Sequence, residues 1–137
     1  MAAALYLLDT NVLIAALKGH QGVRRLLEAL PLSSLRLSAI VLGELEFGAE
    51  KSAHGARNRA RLAALTQRLP LVGVDAQTVR HYAQVRALLE RRGTPIGAND
   101  TWIAAQALAI KATLVTDNER EFARVDNLPL ENWLAGD

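Results

Sequence analysis

A chain of 137 residues, half of them hydrophobic, is long enough for one domain with a core of its own and needs no covalent staples. It has no cysteine, which excludes a disulfide framework, a cysteine nucleophile and thiolate zinc, and fits a reducing cytoplasm. The net charge of +2 says little about partners. The opening apolar stretch, Met1 to Leu8, has no basic leader and is too short for a signal peptide or a membrane span. The expectation is a single domain over residues 1–137, cytoplasmic, with no membrane association.

Leu5 to Leu8 is a continuous apolar run, the pattern of a strand covered on both faces. Asp9-Thr10-Asn11 opens a helical pattern to about Leu17, interrupted by Gly19 and Gly22, and a second helix is predicted from about Val23 to Leu30, where Pro31 stops it. Leu35 to Leu37 reads as a short strand, and Ser38 as the N-cap of a helix from Ala39 to about Glu50. A basic, alanine-rich helix is predicted over Ala56 to Arg68, ending at Pro70. Leu71 to Val74 follows as a third strand, and Asp75 caps a long helix from Ala76 to Arg92. After the loop Gly93-Thr94-Pro95-Ile96-Gly97, Asn99 or Asp100 starts a helix to about Lys111. A fourth strand, Thr113 to Thr116, ends at Asp117, and a short helix, Glu119 to Arg124, leads to Leu128-Pro129-Leu130 and Trp133. Strands alternating with helices predict an α/β fold, a parallel sheet of four to five strands flanked by helices. In such sheets ligands gather beyond the carboxyl ends of the strands.

Four acids stand out on this map. Asp9 and Asp117 each follow a strand directly, and Asp100 lies in the first turn of a helix entered from a loop with glycine at each end. Glu44 has Ile40, Val41, Phe47 and Gly48 at helical neighbour spacing, which predicts a carboxylate on an inward apolar stripe. Its helix offers no basic partner before Lys51, so a shared cation would relieve the cost of burial. Plainer roles exist for each: Asp9 or Asp100 as a helix cap, Asp117 as a turn residue, Glu44 as the partner of a distant arginine. Taken together, four converging carboxylates select a hard cation, Mg²⁺ or Mn²⁺, and such a centre suits phosphodiester hydrolysis. The three histidines, His20, His54 and His81, show no ligand spacing and read as surface residues. No Walker-type or dinucleotide-type glycine loop is present.

Setting the four acids aside leaves 16 basic residues against ten acidic ones. Lys51, Arg57, Arg59, Arg61 and Arg68 fall in a stretch with no acid, and Arg86, Arg91 and Arg92 form a second cluster. An acidic focus within a basic surround would draw a polyanion towards a site that is itself negative, although a solvated arginine-rich helix face would look the same.

The same residues carry a family resemblance. Leu8-Asp9-Thr10-Asn11 after an apolar strand resembles the opening motif of PIN domains. Ser38 to Leu45 with its single Glu44 resembles their second motif, Gly97-Ala98-Asn99-Asp100 before Trp102-Ile103-Ala104 the third, and Thr116-Asp117-Asn118 with Glu121-Phe122 the fourth. Gly48-Ala49-Glu50-Lys51-Ser52 and Leu130-Glu131-Asn132-Trp133 are similar to VapC, the toxins of type II toxin–antitoxin modules. The resemblance implies a PIN-like three-layer fold and a metal-dependent endoribonuclease toxin. It also implies an RNA substrate, often a transfer RNA, a VapB-type antitoxin and a homodimer, to which apolar helix faces near the amino end and around Val79 to Leu89 would contribute. Carried over, it makes Asp9, Glu44, Asp100 and Asp117 catalytic metal ligands for Mg²⁺ (or Mn²⁺). Asn11 and Thr116 would orient them. Lys51, Arg57, Arg59, Arg61, Arg86, Arg91 and Arg92 would hold the RNA backbone. Many relatives have asparagine where this chain has Asp117, so its part is the least constrained. Scarce aromatics, 4 % of the chain, argue against extensive base stacking. Rival readings are a DNA-directed nuclease on the same scaffold, a silent PIN-like nucleic-acid-binding module, and a phosphoacceptor domain. The last requires a strand-end lysine that this sequence lacks.

Overall fold

The structure is a computed structural model that describes residues 4–135. Five parallel strands form one sheet: β1 (Tyr6–Leu8), β2 (Leu35–Ser38), β3 (Leu71–Val72), β4 (Thr113–Val115) and β5 (Leu130–Glu131), in the order β3-β2-β1-β4-β5. Parallel neighbours require crossover connections. Helices α1 (Thr10–Leu17) and α2 (Gln21–Ala29) lie between β1 and β2, and α3 (Ala39–Lys51) and α4 (Gly55–Thr66) between β2 and β3. Helices α5 (Ala76–Arg91) and α6 (Ala98–Ile110) precede β4, and α7 (Glu119–Phe122) leads to β5. The expected α/β architecture is present, and the fifth strand lies just beyond Pro129, where the sequence pattern alone is ambiguous. No helix among the described residues is long and apolar enough to cross a membrane.

The core explains why these segments fold as they do. Leu7, Leu8, Leu35, Leu37, Leu114 and Val115 on the three central strands are at most 2 % exposed, as strands covered on both faces must be. Val12, Leu13 and Ala16 on α1, and Ile103, Ala104 and Ala107 on α6, pack into the same cluster. The order of strands places a topological switch at β1, where the chain first builds outward through β2 and β3 and then returns to add β4 on the other side. Leu8 pairs with both Leu37 and Val115, so β1 and β4 end level and β2 runs one residue further, to Ser38. The residues that follow this paired row, Asp9, Ser38 and Thr116, therefore share one rim at the switch point, where a ligand crevice is expected.

Several boundaries differ from expectation for local reasons. Helix α2 begins at Gln21, because His20 Nδ1 accepts from the Val23 amide and caps it. A 3₁₀ turn, Leu32–Ser34, fills the gap before β2. Helix α4 begins at Gly55, whose α-carbon runs so close to the Ala49 carbonyl that a β-carbon would lie 2.8 Å from that oxygen. Strand β3 stops at Val72, because the carbonyls of Val72 and Gly73 are taken by the Gln106 side chain rather than by a further strand. Helix α6 starts at Ala98, earlier than expected, and ends at Ile110, with Lys111 in a left-handed conformation. Helix α7 is a single turn, shorter than its predicted span. Of the histidines, His54 is exposed and His20 and His81 are half-buried.

An acidic site at the sheet switch point

Asp9 is 6 % exposed and both its oxygens are engaged. Oδ1 accepts from the Thr10 amide at 2.8 Å, so the cap role is real, while Oδ2 accepts from the hydroxyl of fully buried Thr116 at 2.8 Å. The Thr116 hydroxyl also accepts from the Asn118 amide, which fixes the turn after β4. The Asp9 backbone amide donates to the Val115 carbonyl, locking the end of β1 to the end of β4.

Glu44 reaches the same rim from α3. Its Oε1 accepts from the Thr10 hydroxyl at 2.9 Å, so among the described residues its partner is a hydroxyl and not the distant arginine considered from sequence. The inward stripe of α3 is Val41, Leu45 and Ala49, spaced by four residues. Glu44 flanks that stripe and is half-buried, and Phe47, expected inside, is 63 % exposed beneath the Lys51 ammonium, 5.1 Å from the ring centre. Glu46 is exposed, as its place on the helix requires.

Asp100 stands half-buried in the first turn of α6, where the helix dipole favours a negative group. Burial, followed by the charges of Glu121, Asp9 and Glu44, raises its pKa to about 7, and a hydrogen bond shared with Glu121 acts in the same direction. Burial also raises Asp9 and outweighs the lowering effect of the Thr116 and Thr10 hydrogen bonds, with smaller upward contributions from Asp117 and Glu121. Glu121 is lowered instead, first because Asn118 Nδ2 donates to it at 2.8 Å and next because the Gly97 amide donates at 3.1 Å. Three acids therefore press on Asp100, and one of them is held ionised by its own donors.

Glu121 is the residue that sequence reasoning leaves out of the site. It lies in the motif after β4, yet nothing in that motif assigns it a role. The one signal is its spacing from Asp117 across a short helix, and the decisive fact, the loop at Gly97 folding back to meet it, is a tertiary contact. Asp117 itself is exposed at the edge, where Asn11 Nδ2 donates to its Oδ1 at 3.2 Å. Its charge bears on Asp9, whereas Asp100 feels Glu121, Asp9 and Glu44. Electrostatics thus link Asp9, Glu44, Asp100 and Glu121, with Asp117 acting on Asp9.

Among the described residues no three of these groups stand together in metal-ligating geometry as they are placed. Their chemistry still fits a hard divalent cation: the set is all carboxylate oxygen, mutually repelling, and paired with hydroxyl, amide and backbone donors rather than with cationic side chains. A cation would relieve the repulsion that keeps Asp100 near neutrality.

The basic residues divide. Arg59 pairs with Glu50 at 2.9 Å, Arg86 with Glu90 at 3.1 Å and with the Tyr82 hydroxyl, and Arg92 holds both oxygens of Asp126. Arg57 and Arg91 are exposed, and Arg61 lines a hollow of about 490 Å³ with Ile14, Lys18 and Glu44. The apolar face expected around Val79 to Leu89 is largely spent within the chain: Val85 and Leu89 are buried, Tyr82 stacks on Trp102 of α6 at 3.7 Å, and Val79 is left half-exposed.

Fold and site together define a parallel α/β protein with an acidic focus at the carboxyl rim of its sheet. The PIN domain model matches residues 6–128. Ribonuclease VapC2 of Rickettsia felis is 40 % identical over 131 residues, covering 94 % of this chain and 98 % of its own. The tRNA(fMet)-specific endonuclease VapC of Salmonella typhimurium is 38 % identical, covering 93 % and 97 %. Among solved structures, DNA-bound VapBC from Salmonella typhimurium superposes with a TM-score of 0.90 at 37 % identity, over 96 % of this chain and 99 % of that one. VapBC2 from Rickettsia felis bound to a promoter DNA fragment gives 0.89 at 39 %, over 94 % and 98 %. The chain belongs to the PIN-domain family and, within it, to the VapC ribonucleases, and it is an endoribonuclease toxin of that family.

Proposed function

We propose that this endoribonuclease is Mg²⁺- or Mn²⁺-dependent, that it cuts transfer RNA to stop translation, and that a VapB-type antitoxin holds it in check in the cytoplasm. The observation that supports the metal-dependent reading is the grouping of Asp9, Glu44, Asp100 and Glu121 about the switch point with, among the described residues, no cationic side chain among their hydrogen-bond partners. Transfer RNA is favoured by the 38 % identical relative named as a tRNA(fMet)-specific endonuclease, and the antitoxin by the VapBC complexes that this chain superposes on. A homodimer belongs to the same reading.

In this mechanism Asp9, Glu44, Asp100 and Glu121 would hold the ion, with Asp117 joining from Asp9's side. A bound divalent ion supplies a water of lowered pKa and neutralises charge on the phosphoryl group under attack. Thr116 holds Asp9 Oδ2 and Thr10 holds Glu44 Oε1, so both carboxylates keep their aim without the protein having to reorganise. Asn11 steadies Asp117. Lys51, Arg57, Arg61 and Arg91 supply the positive surround for the RNA backbone, and Arg59, Arg86 and Arg92 contribute to that field only through their paired groups.

The test is incubation of the purified protein, free of partner, with total RNA and with isolated transfer RNA, in Mg²⁺, Mn²⁺ or chelator, beside Asp9→Asn and Glu44→Gln. Discrete fragments that require metal and vanish in both variants support the reading. Intact RNA in every arm, from folded protein, rejects it and leaves the DNA-directed or silent binding module. Fragments that persist in chelator reject the metal.

A further inference from the structure

A hydrogen-bonded junction borders the acidic rim. Gln106 of α6 and Ser38 at the end of β2 are both fully buried. The Ser38 hydroxyl donates to Gln106 Oε1, and the Gln106 amide donates to the carbonyls of Val72 at 3.0 Å and Gly73 at 3.1 Å. Ser38 Oγ also accepts from the amides of Ile40 and Val41, so the same atom starts α3. Two side chains thereby tie α6, the first turn of α3 and the end of β3 into one node, with every buried polar side-chain atom among the described residues satisfied.

The node's position gives it consequence. Glu44 lies six residues after Ser38 on α3, and Asp100 lies six residues before Gln106 on α6. At the helical rise each acid stands about 9 Å along its helix from the link. Helices α3 and α6 also pack directly against each other. An apolar pair would fill the same volume without directional bonds. Such buried polar links are associated with fixing one packing register among several.

We propose that Ser38 and Gln106 are positioning residues that set the spacing of Glu44 and Asp100, and with it the affinity of the site for a divalent cation. This rests on the metal reading above, and two measurements separate the failures. The first needs no metal: the chain has no cysteine, so spin labels at Glu46→Cys and Asn99→Cys, both exposed, report the α3–α6 spacing from dipolar broadening. The second is Mn²⁺ titration by calorimetry. The variants are Ser38→Ala, Gln106→Met and their double; the double removes both ends of the Ser38–Gln106 bond, and Gln106→Met alone leaves the Ser38 cap of α3 intact. Ser38→Thr keeps the hydroxyl, and Val23→Ala on α2 is a buried control that lowers thermal stability away from the node.

The expected result is a broader label distance and Mn²⁺ binding about tenfold weaker in the double variant, with both restored in Ser38→Thr and neither changed in Val23→Ala. An unchanged label distance in the double variant overturns the proposal, as does an equal change in Val23→Ala. A wild-type protein that binds no Mn²⁺ rejects the metal reading and with it the claim on affinity, while the label distance still decides the spacing.

Discussion

Asp100 and Glu121 bear directly on each other in the acidic site: burial and the Glu121 charge raise the first carboxyl, while donors from Asn118 and Gly97 lower the second. The asymmetry follows from their donors. Glu121 receives Asn118 Nδ2 and the Gly97 amide, whereas Asp100 is half-buried among three negative neighbours. Such a pair is poorly stable with both charges present, and it is the geometry in which an added cation gains most.

A stability prediction follows for metal-free protein. The folded Asp100 has a pKa of about 7 against an ordinary 3.8, so the folded state binds more protons than the unfolded chain between those values. Its contribution is fully present below about pH 4 and is lost as pH rises through 7. In chelator, Asp100→Asn should therefore melt above wild type at pH 8, and the gap should close towards pH 4. Thermal melts over pH 4–8 check this; a gap that is constant with pH, or that widens in acid, would sink it.

Glu121 should matter more than Asp117. Glu121→Gln keeps the size of the side chain but removes the charge that contributes most to Asp100 after burial. Its RNA cleavage should fall at least about a hundredfold, in the range for losing a positioned acid–base or ligand group. Asp117→Asn, an exposed change that preserves the Asn11 hydrogen bond through the amide oxygen, should cost about tenfold or less. Single-turnover rates at saturating Mn²⁺ on one RNA decide the order, and the reverse order would return Asp117 to the centre of the site.

Much of this arrangement is legible in the sequence, for identifiable reasons. Asp9 and Asp117 each follow a short strand-like run, so their place at the carboxyl ends of strands follows from the alternation of strands and helices alone. Phe47 is misplaced by sequence reasoning because helical spacing cannot tell a stripe centred on Leu45 from one that includes Glu44 and Phe47. Gln106 reads as an ordinary helix residue, and only the fold brings Ser38 and Val72 to it. Glu121 is hidden for the same reason, its partner at Gly97 being 24 residues away.

Thr116 is expected to act through Asp9. Thr116→Val is nearly isosteric and removes both the donor to Asp9 Oδ2 and the acceptor of the Asn118 amide, within a fully buried site. Removing such a bond costs about 1–3 kcal/mol, and removing an orienting partner weakens metal affinity about 10–100-fold. Thr116→Ser should retain most of both. Denaturant unfolding in chelator together with Mn²⁺ titration would show it, and a Thr116→Val protein with wild-type Mn²⁺ affinity would contradict it.

The arginines give the last prediction, because the ion pairs sort them in advance. Arg59, Arg86 and Arg92 each carry a carboxylate partner 2.9 to 3.1 Å away, and an arginine so paired brings little net charge to a phosphate. Arg57 and Arg91 are exposed, and Arg61 opens onto the hollow that also holds Glu44. Arg57→Ala, Arg61→Ala and Arg91→Ala should each raise KM for RNA severalfold with little change in kcat. Each should also lower the slope of log affinity against log salt by about 0.7 for every phosphate of single-stranded RNA that is no longer neutralised. Arg92→Ala should leave both nearly unchanged, since it breaks an exposed pair worth at most about 1 kcal/mol. Binding of an Asp9→Asn background to labelled RNA at several salt concentrations reads these slopes. Equal effects across all the arginines would show instead that the RNA senses only their summed charge.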